Sequence, residues 1–361
     1  MEKSGERPDE VQWRMLFELA REYKRVKPWK VLSDCDIFGL KLPWMEETVY
    51  PLVMGNAGEF FGLSVYRGAK GLLHYLMTTS DMDVDDPVYL ASYNSLLLSF
   101  LDREMLSEDD VSLMRSLGVS FSGKKGWAQF RRMRGLRLDG RITSEEAELL
   151  LEVIPRVLVV AEIVQKDEEV AKWFEVADVP VLEEVEPLNW KAVPLSDSPE
   201  DPQKVLDAAF PKEGIRRIKR LKRAAGSWQV GWKGLPGLVV ENPEDPVRVV
   251  GAMIVDGASG FIEGFRAFTG EDLEDLSRQF CEEFVGMLEK AGAFPKRLEV
   301  KSKWLYGLLK PLRSRLGTKV MLKDSLPELE EAFDYLVQEA GQGHAGRESS
   351  FFKGHSGMRN M

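Results

Sequence analysis

Two clusters of basic side chains, each accompanied by aromatic residues, are the groups in this sequence best suited to bind a negatively charged ligand. The first lies between Lys124 and Arg137 and contains no acidic residue, and Trp127 and Phe130 lie within it. The second extends from Lys212 to Lys233, is offset by Glu213 alone, and includes two tryptophans. Basic side chains neutralise phosphates and aromatic rings stack on unpaired bases. The clusters therefore predict binding to single-stranded or structured RNA, with these residues in contact: Lys124, Lys125, Arg131, Arg132, Arg216, Arg217, Lys219, Arg220, Lys222, Arg223 and Trp228.

Other kinds of reactive site have little support. Two of the three histidines lie in a polar C-terminal stretch, so a histidine-based site would depend on His74 alone. There are only two cysteines, Cys35 and Cys281, and they are far apart in sequence, so thiols supply neither a zinc cluster nor a disulfide framework. The glycines between Gly55 and Gly71 follow predicted hairpin turns, and no Gly-Lys-Ser/Thr follows them, so turn geometry explains them better than a phosphate cradle.

Length and composition predict more than one folded domain. The chain has 361 residues, 44% hydrophobic residues and a net charge of -10, which excludes wholesale disorder and wholesale coating of nucleic acid. An acidic stretch after residue 165 and repeated prolines to Pro211 indicate a connecting region. We predict an N-terminal α+β domain over 1–168, an acidic then basic connector over 169–237, an α/β domain over 238–340 and a disordered tail over 341–361. The start of the chain is polar and no apolar run approaches about 18 residues, so a cytoplasmic protein without a membrane partner is expected.

The last domain has the clearest pattern. A hairpin with a Gly-Ala-Ser-Gly turn is followed by helices and strands in alternation, which favours a mixed sheet covered by helices. The predicted elements are strands at 248–256 and 261–268, a helix at 269–291, a strand at 297–300, a helix at 304–316, a strand at 319–322 and a helix at 327–337. A further helix is predicted over 204–223.

The layout from Arg248 to Val337 resembles the ribonuclease H-like fold, and Ile254-Val255-Asp256-Gly257 resembles its first hairpin. This resemblance implies a site in which two or more carboxylates hold divalent metal ions, such as Mg²⁺, during phosphodiester cleavage. Asp256 would be the first carboxylate, and Glu263, Glu299 or Glu328 would supply the second. Lys301 or Ser302 stands where an aspartate is expected. The resemblance therefore implies an incomplete catalytic set.

The whole chain also resembles an uncharacterised prokaryotic two-domain family. The phrases that carry the likeness are Asp36-Ile37-Phe38-Gly39, Gly62-Leu63-Ser64-Val65-Tyr66-Arg67-Gly68 and Leu326-Pro327. The resemblance brings no activity with it. We therefore expect a non-catalytic binding protein without a cofactor, with RNA or a ribonucleoprotein as its partner. The alternatives are a divalent-metal nuclease or phosphodiesterase using Asp256, Glu263 and Glu299, and a protein-protein interaction scaffold.

Overall fold

The computed structural model describes residues 5–78, 83–167, 172–174, 179–186, 189–193, 210–240 and 246–342. Within these residues the chain has a mixed α+β fold, as predicted, with two mixed sheets. The sheets are joined edge to edge by a single pairing, between Val247 and Arg137.

The first domain packs helices against a sheet in the order β6-β5-β4-β3-β2-β1-β7-β8, in which only β1 and β7 are parallel neighbours. Its long helices begin at capping boxes, Asp9 with Gln12 and Thr143 with Glu146. Its elements are α1 (Glu10–Val26), β1 (Gly39–Lys41), β2 (Val49–Met54), β3 (Phe61–Arg67), α2 (Gly68–Thr78), α3 (Pro87–Ser92), β4 (Asn94–Leu101), α4 (Glu108–Ser116), β5 (Trp127–Arg134), β6 (Arg137–Gly140), α5 (Ser144–Lys166), β7 (Val181–Glu186) and β8 (Asn189–Val193).

The second domain has the strand order β13-β12-β9-β10-β11. Strands β9, β12 and β13 are parallel to one another, and β10 and β11 are antiparallel to their neighbours. The elements are α6 (Lys212–Ile218), β9 (Lys222–Val240), β10 (Val247–Asp256), β11 (Ile262–Phe268), α7 (Leu273–Ala291), β12 (Ala293–Val300), α8 (Lys303–Leu309), α9 (Leu312–Leu316), β13 (Lys319–Leu322) and α10 (Pro327–Gln342).

The two faces of this second sheet are covered differently. Trp228, Val230 and Trp232 alternate along β9 and belong to a core that includes the buried face of α7. The opposite face carries a smaller core in which Leu329 and Phe333 of α10 pack over β9 and β10. Side chains at successive positions of a strand therefore point to different helices.

The hairpin of β10 and β11 and the helix after it are confirmed, whereas the predicted connector over 169–237 differs in both its acidic and its basic part. In the acidic part, β7 and β8 extend the first sheet. In the basic part, the chain forms α6 and the long central strand β9, so the second domain includes residues well before 238. The predicted 204–223 helix is limited to Lys212–Ile218 among the described residues, because the alternating apolar pattern of a strand begins just after the basic run. The predicted helix at 304–316 is two short helices, since Pro311 interrupts it. The predicted disordered tail begins at residue 341, but residues 341 and 342 belong to α10, and 343–361 lie outside the described residues.

The two domains share a core rather than a flexible link. Residues Val88 to Ala91 of α3, together with Leu136, are buried in the same cluster as Phe280 and Phe284 of α7. Backbone hydrogen bonds reinforce the contact: Gly234 N donates to Asp85 O at 2.7 Å, and Arg248 N donates to Leu136 O at 2.9 Å.

Candidate nucleic-acid interface

One end of the second sheet collects basic side chains from three separate parts of the sequence. Strands β9, β12 and β13 are parallel, so their N-terminal ends lie at the same end of the sheet, together with the segments that lead into them. We call the exposed cations at this end the basic platform. Its members are Lys219, Arg220, Lys222, Lys296, Arg297, Arg313, Arg315 and Lys319.

The members of the basic platform are exposed, and none has an ion-pair partner among the residues that the structure describes. Flanking basic residues behave differently, since Arg216 pairs with Glu213 and Arg217 contacts Glu289 at 3.2 Å. In a protein of net charge -10 the platform is thus a local concentration of uncompensated positive charge.

Strand register places two of these cations side by side. Arg297 on β12 pairs with Lys319 on β13, and the next pair along is Leu298 with Val320. Leu298 is buried in the core on the α7 side of the sheet. Arg297, the residue before it, therefore projects from the opposite face. Like charges on neighbouring strands repel each other, and among the described residues neither side chain has an ion-pair partner that would offset this cost.

Arg223, which the sequence predicts as a nucleic-acid contact, holds the platform together instead. Its guanidinium donates to Pro295 O at 3.2 Å, to Thr318 Oγ1 at 3.1 Å and to Leu316 O. It also lies 4.3 Å from the centre of the Phe294 ring. These contacts tie the start of β9 to β12 and satisfy a carbonyl at the C-terminal end of α9. Arg223 is therefore a positioning residue for the cations around it.

Most side chains of the basic cluster predicted in the first domain form contacts within the protein. Arg131 is buried and forms a forked ion pair with Asp110, with one N–O distance of 2.9 Å. Arg132 lies 3.9 Å from the buried Glu146. Lys125 donates to Gly58 O at 3.0 Å and to Glu59 O. Lys124 alone of the four is exposed without a partner among the described residues.

Trp228 is not available for stacking on a base. The side chain is 2% exposed, and its indole Nε1 donates to Asp256 Oδ2 at 3.2 Å. Trp232 is also buried, against Phe280. Because both tryptophans occupy the inward positions of β9, the sequence prediction of an aromatic surface beside the second cluster does not match the structure.

Asp256 caps its own turn. Oδ1 accepts hydrogen bonds from the backbone N–H groups of Ala258 and Ser259 and from the Ser259 hydroxyl, at 2.9 to 3.0 Å. Burial alone would raise the pKa of Asp256, but the hydrogen bonds from Ser259, Ala258 and Trp228 together lower it. Burial raises the pKa of Glu263, and the charge of Asp256 adds to that rise.

Glu263 is near enough to Asp256 to feel its charge, but Glu299 and Glu328 do not converge with Asp256. Glu299 pairs in register with Gln229, whose side chain bonds Glu328 and the Leu329 N–H on the α10 side of the sheet. Asp256 instead contacts Trp228, which lies on the α7 side. Across the part of the chain that the structure describes, no group of three or more His, Cys, Asp or Glu side chains could hold a metal ion.

Five platform residues were missed in the sequence, namely Lys296, Arg297, Arg313, Arg315 and Lys319. A signal for them exists, because the stretch from Lys290 to Lys323 is rich in lysine and arginine and has Glu299 as its single acidic residue. That asymmetry is hidden by the strand and helix pattern, in which the basic residues are spread over several elements.

Comparison with protein families assigns the chain two distinct domains. Residues 13–179 match the Domain of unknown function (DUF7309), and residues 214–337 match the Domain of unknown function (DUF6930). The predicted likeness to an uncharacterised two-domain family is thereby confirmed. No curated protein and no solved structure matches the chain. Among the described residues, no helix is long and apolar enough to cross a membrane.

Proposed function

We propose that this protein, which joins these two domains of unknown function, is a cytoplasmic RNA-binding protein that holds its partner on the basic platform without catalysis or a cofactor. The observation that carries the proposal is the set of exposed cations at the end of the second sheet where β9, β12 and β13 begin. Within the described residues, these cations have no ion-pair partner. A phosphate backbone supplies the negative charges that these side chains lack.

The absence of a carboxylate on the central strand supports the non-catalytic part of the proposal. The strand order, with β9 at the centre, two antiparallel strands on one side and two parallel strands on the other, supports the ribonuclease H-like layout that the sequence suggested. Yet β9 has no Asp or Glu over its whole length. Asp256 accepts hydrogen bonds from its own turn, and Glu299 and Glu328 lie on the other face of the sheet from Asp256. We therefore propose a degenerate fold of this type that binds nucleic acid.

The test is a matched pair of charge-reversal variants. Arg297→Glu with Lys319→Glu reverses two platform cations, and it keeps two like charges side by side, so the local repulsion within the sheet is unchanged in kind. The control, Arg7→Glu with Lys30→Glu, makes the same change in net charge at two exposed basic residues of the first domain. Both variants should fold like the parent protein, which circular dichroism and urea unfolding would verify.

Binding of a fluorescent structured RNA, measured by anisotropy over a range of salt concentrations, then separates the variants. Each phosphate contact contributes about 0.9 to the slope of log K against log salt, or about five-fold in affinity at 0.15 M salt. The platform variant should lose roughly 25-fold or more in affinity and about 2 in slope, because two contacts are removed. The control should bind within about two-fold of the parent.

The proposal fails if the platform variant binds with the affinity and salt slope of the parent, or if the parent binds no RNA. The second outcome would favour a protein partner. Incubation of the same RNA with Mg²⁺ or Mn²⁺ addresses catalysis: cleavage by the parent that Asp256→Asn abolishes would replace the binding proposal with a metal-dependent nuclease.

A further inference from the structure

We infer that the basic platform recognises base-paired RNA through its phosphates, rather than unpaired bases through stacking. This inference rests on the proposed function and assigns the class of RNA. It follows from two properties of the platform, namely which aromatic side chains lie near it and how its cations are arranged.

The aromatic side chains next to the platform are unavailable to a ligand. Phe294 is 6% exposed and lies beneath the Arg223 guanidinium, and Trp228 is buried and hydrogen-bonded to Asp256. Trp304 is half-buried and donates its Nε1–H to Ser277 Oγ at 2.8 Å. Proteins that hold single strands use exposed rings on which successive bases stack. The described part of the platform offers no such ring.

Two aromatic residues of the second domain are well exposed among the described residues, and neither belongs to the platform. Phe261 is at the tip of the β10–β11 hairpin, which reaches the platform's end of the sheet because Asp256 pairs with Trp228 near the start of β9. Strands β9 and β10 still separate Phe261 from β12. Tyr335 is on α10, about 140° around the helix from Glu330 at about 100° per residue. Glu330 faces Lys301 on the β12 side, at 2.8 Å, and Tyr335 is therefore on the opposite flank of α10 from that contact.

The cations form a two-dimensional array rather than a single row. Across the sheet, β9, β12 and β13 are neighbours, which gives a width of about 10 Å at about 4.8 Å per strand. Along β12, Arg297 is four residues, or about 13 Å, from Ala293, the residue that pairs with Lys222 of β9. The short helix α9 adds Arg313 and Arg315 at the same end of the sheet.

Such an array matches phosphates on two strands better than those on one. A duplex places two lines of phosphates on either side of a groove, and the wide, shallow minor groove of A-form RNA is recognised by its shape and backbone. A single strand offers one line of phosphates, and its bases gain nothing from a surface without exposed rings. The same platform should therefore bind base-paired RNA more tightly than an unstructured strand with the same number of phosphates.

The experiment compares a 20-nucleotide RNA hairpin with an unstructured RNA of equal length, with the full-length protein at 0.15 M salt. We expect the hairpin to bind at least about ten-fold more tightly, as doubling the contacts at about five-fold each allows. Arg297→Glu with Lys319→Glu should remove most of the difference. Phe261→Ala and Tyr335→Ala should leave binding of both RNAs unchanged.

Each remaining outcome identifies which idea fails. Equal or tighter binding of the unstructured strand overturns the inference and leaves the proposed function intact. A loss of about ten-fold for the unstructured strand in Phe261→Ala or Tyr335→Ala also overturns it, because stacking is worth about 1–3 kcal/mol per base. Failure of both RNAs to bind the parent protein overturns the proposed function itself.

Discussion

Replacing Arg297 alone with glutamate should make the protein more stable and a weaker RNA binder. Arg297 and Lys319 are exposed and directly paired between β12 and β13, and no acidic side chain among the described residues forms an ion pair with either of them. Arg297→Glu converts this like-charge pair into an opposite-charge pair. The two effects, removal of repulsion and gain of attraction, are each worth roughly 0.2–1 kcal/mol for neighbouring strands.

Exposure reduces that gain, because solvent and salt screen surface charges. We therefore expect the free energy of unfolding to rise by about 0.5–1 kcal/mol at low ionic strength, and the gain should shrink as salt is added. Over the same change, RNA affinity at 0.15 M salt should fall by roughly five-fold or more, since one phosphate contact is lost and a repulsive charge is introduced.

Urea unfolding followed by circular dichroism gives the stability change, and fluorescence anisotropy with the RNA hairpin gives the affinity. Arg297→Gln is the control: it removes the repulsion without adding attraction, so its gain in stability should be smaller. A loss of stability in Arg297→Glu would refute the assigned register and exposure of this pair. A gain in stability without any loss of RNA affinity would refute the role of Arg297 in binding.

Three further predictions concern residues whose roles the structure redefines. Arg131→Met should cost about 3 kcal/mol because it leaves Asp110, whose side chain is only 11% exposed, without its partner, whereas Lys124→Met should cost less than about 0.5 kcal/mol. Burial raises the pKa of Asp110, but hydrogen bonds from Arg131 and Ser107 lower it overall. The stability that the Arg131–Asp110 pair contributes is therefore present above the unfolded-state pKa of about 3.9 and is lost as the pH falls through the lower folded-state pKa. Urea unfolding at several pH values would measure this loss. Arg223→Ala should cost about 2–3 kcal/mol in the same assay and also weaken RNA binding, because it frees the platform's strand ends. A maleimide should label one thiol in the native protein and two after unfolding, since Cys35 is exposed while Cys281 is buried, with a pKa raised by burial and by Glu282.

Local patterns predicted the parts of the fold that are local. The hairpin turn at Gly257–Gly260 and the apolar face of α7 are both encoded within short windows, and both agree with the structure. The start of β9 was missed because the charged residues from Lys212 to Arg223 are as compatible with a solvent-exposed helix as with the end of a strand. The alternation of Trp228, Val230 and Trp232 was the available sign that those tryptophans point inward.

The candidate site could not be predicted because it is assembled from distant segments. Lys222, Lys296 and Lys319 come to the same end of the sheet only when β12 and β13 add in parallel to β9, and strand order is not readable from any one segment. The opposite error applies to Arg131: its basic neighbours suggested a surface, while its partner Asp110 lies 21 residues earlier in α4. A cluster of charges in sequence therefore says little until the positions of the acidic partners are known.

The insertion of α3 into the core of the second domain has a consequence for how these two domains can be inherited. The family match for the second domain begins at residue 214, yet Val88, Leu90 and Ala91 fill part of the core that α7 closes. A gene fragment starting at that boundary would encode a domain with an uncovered apolar surface. We expect such a fragment to aggregate unless residues from the first domain are supplied, so the pair constitutes one cooperative unit that recombination cannot separate without repacking the core.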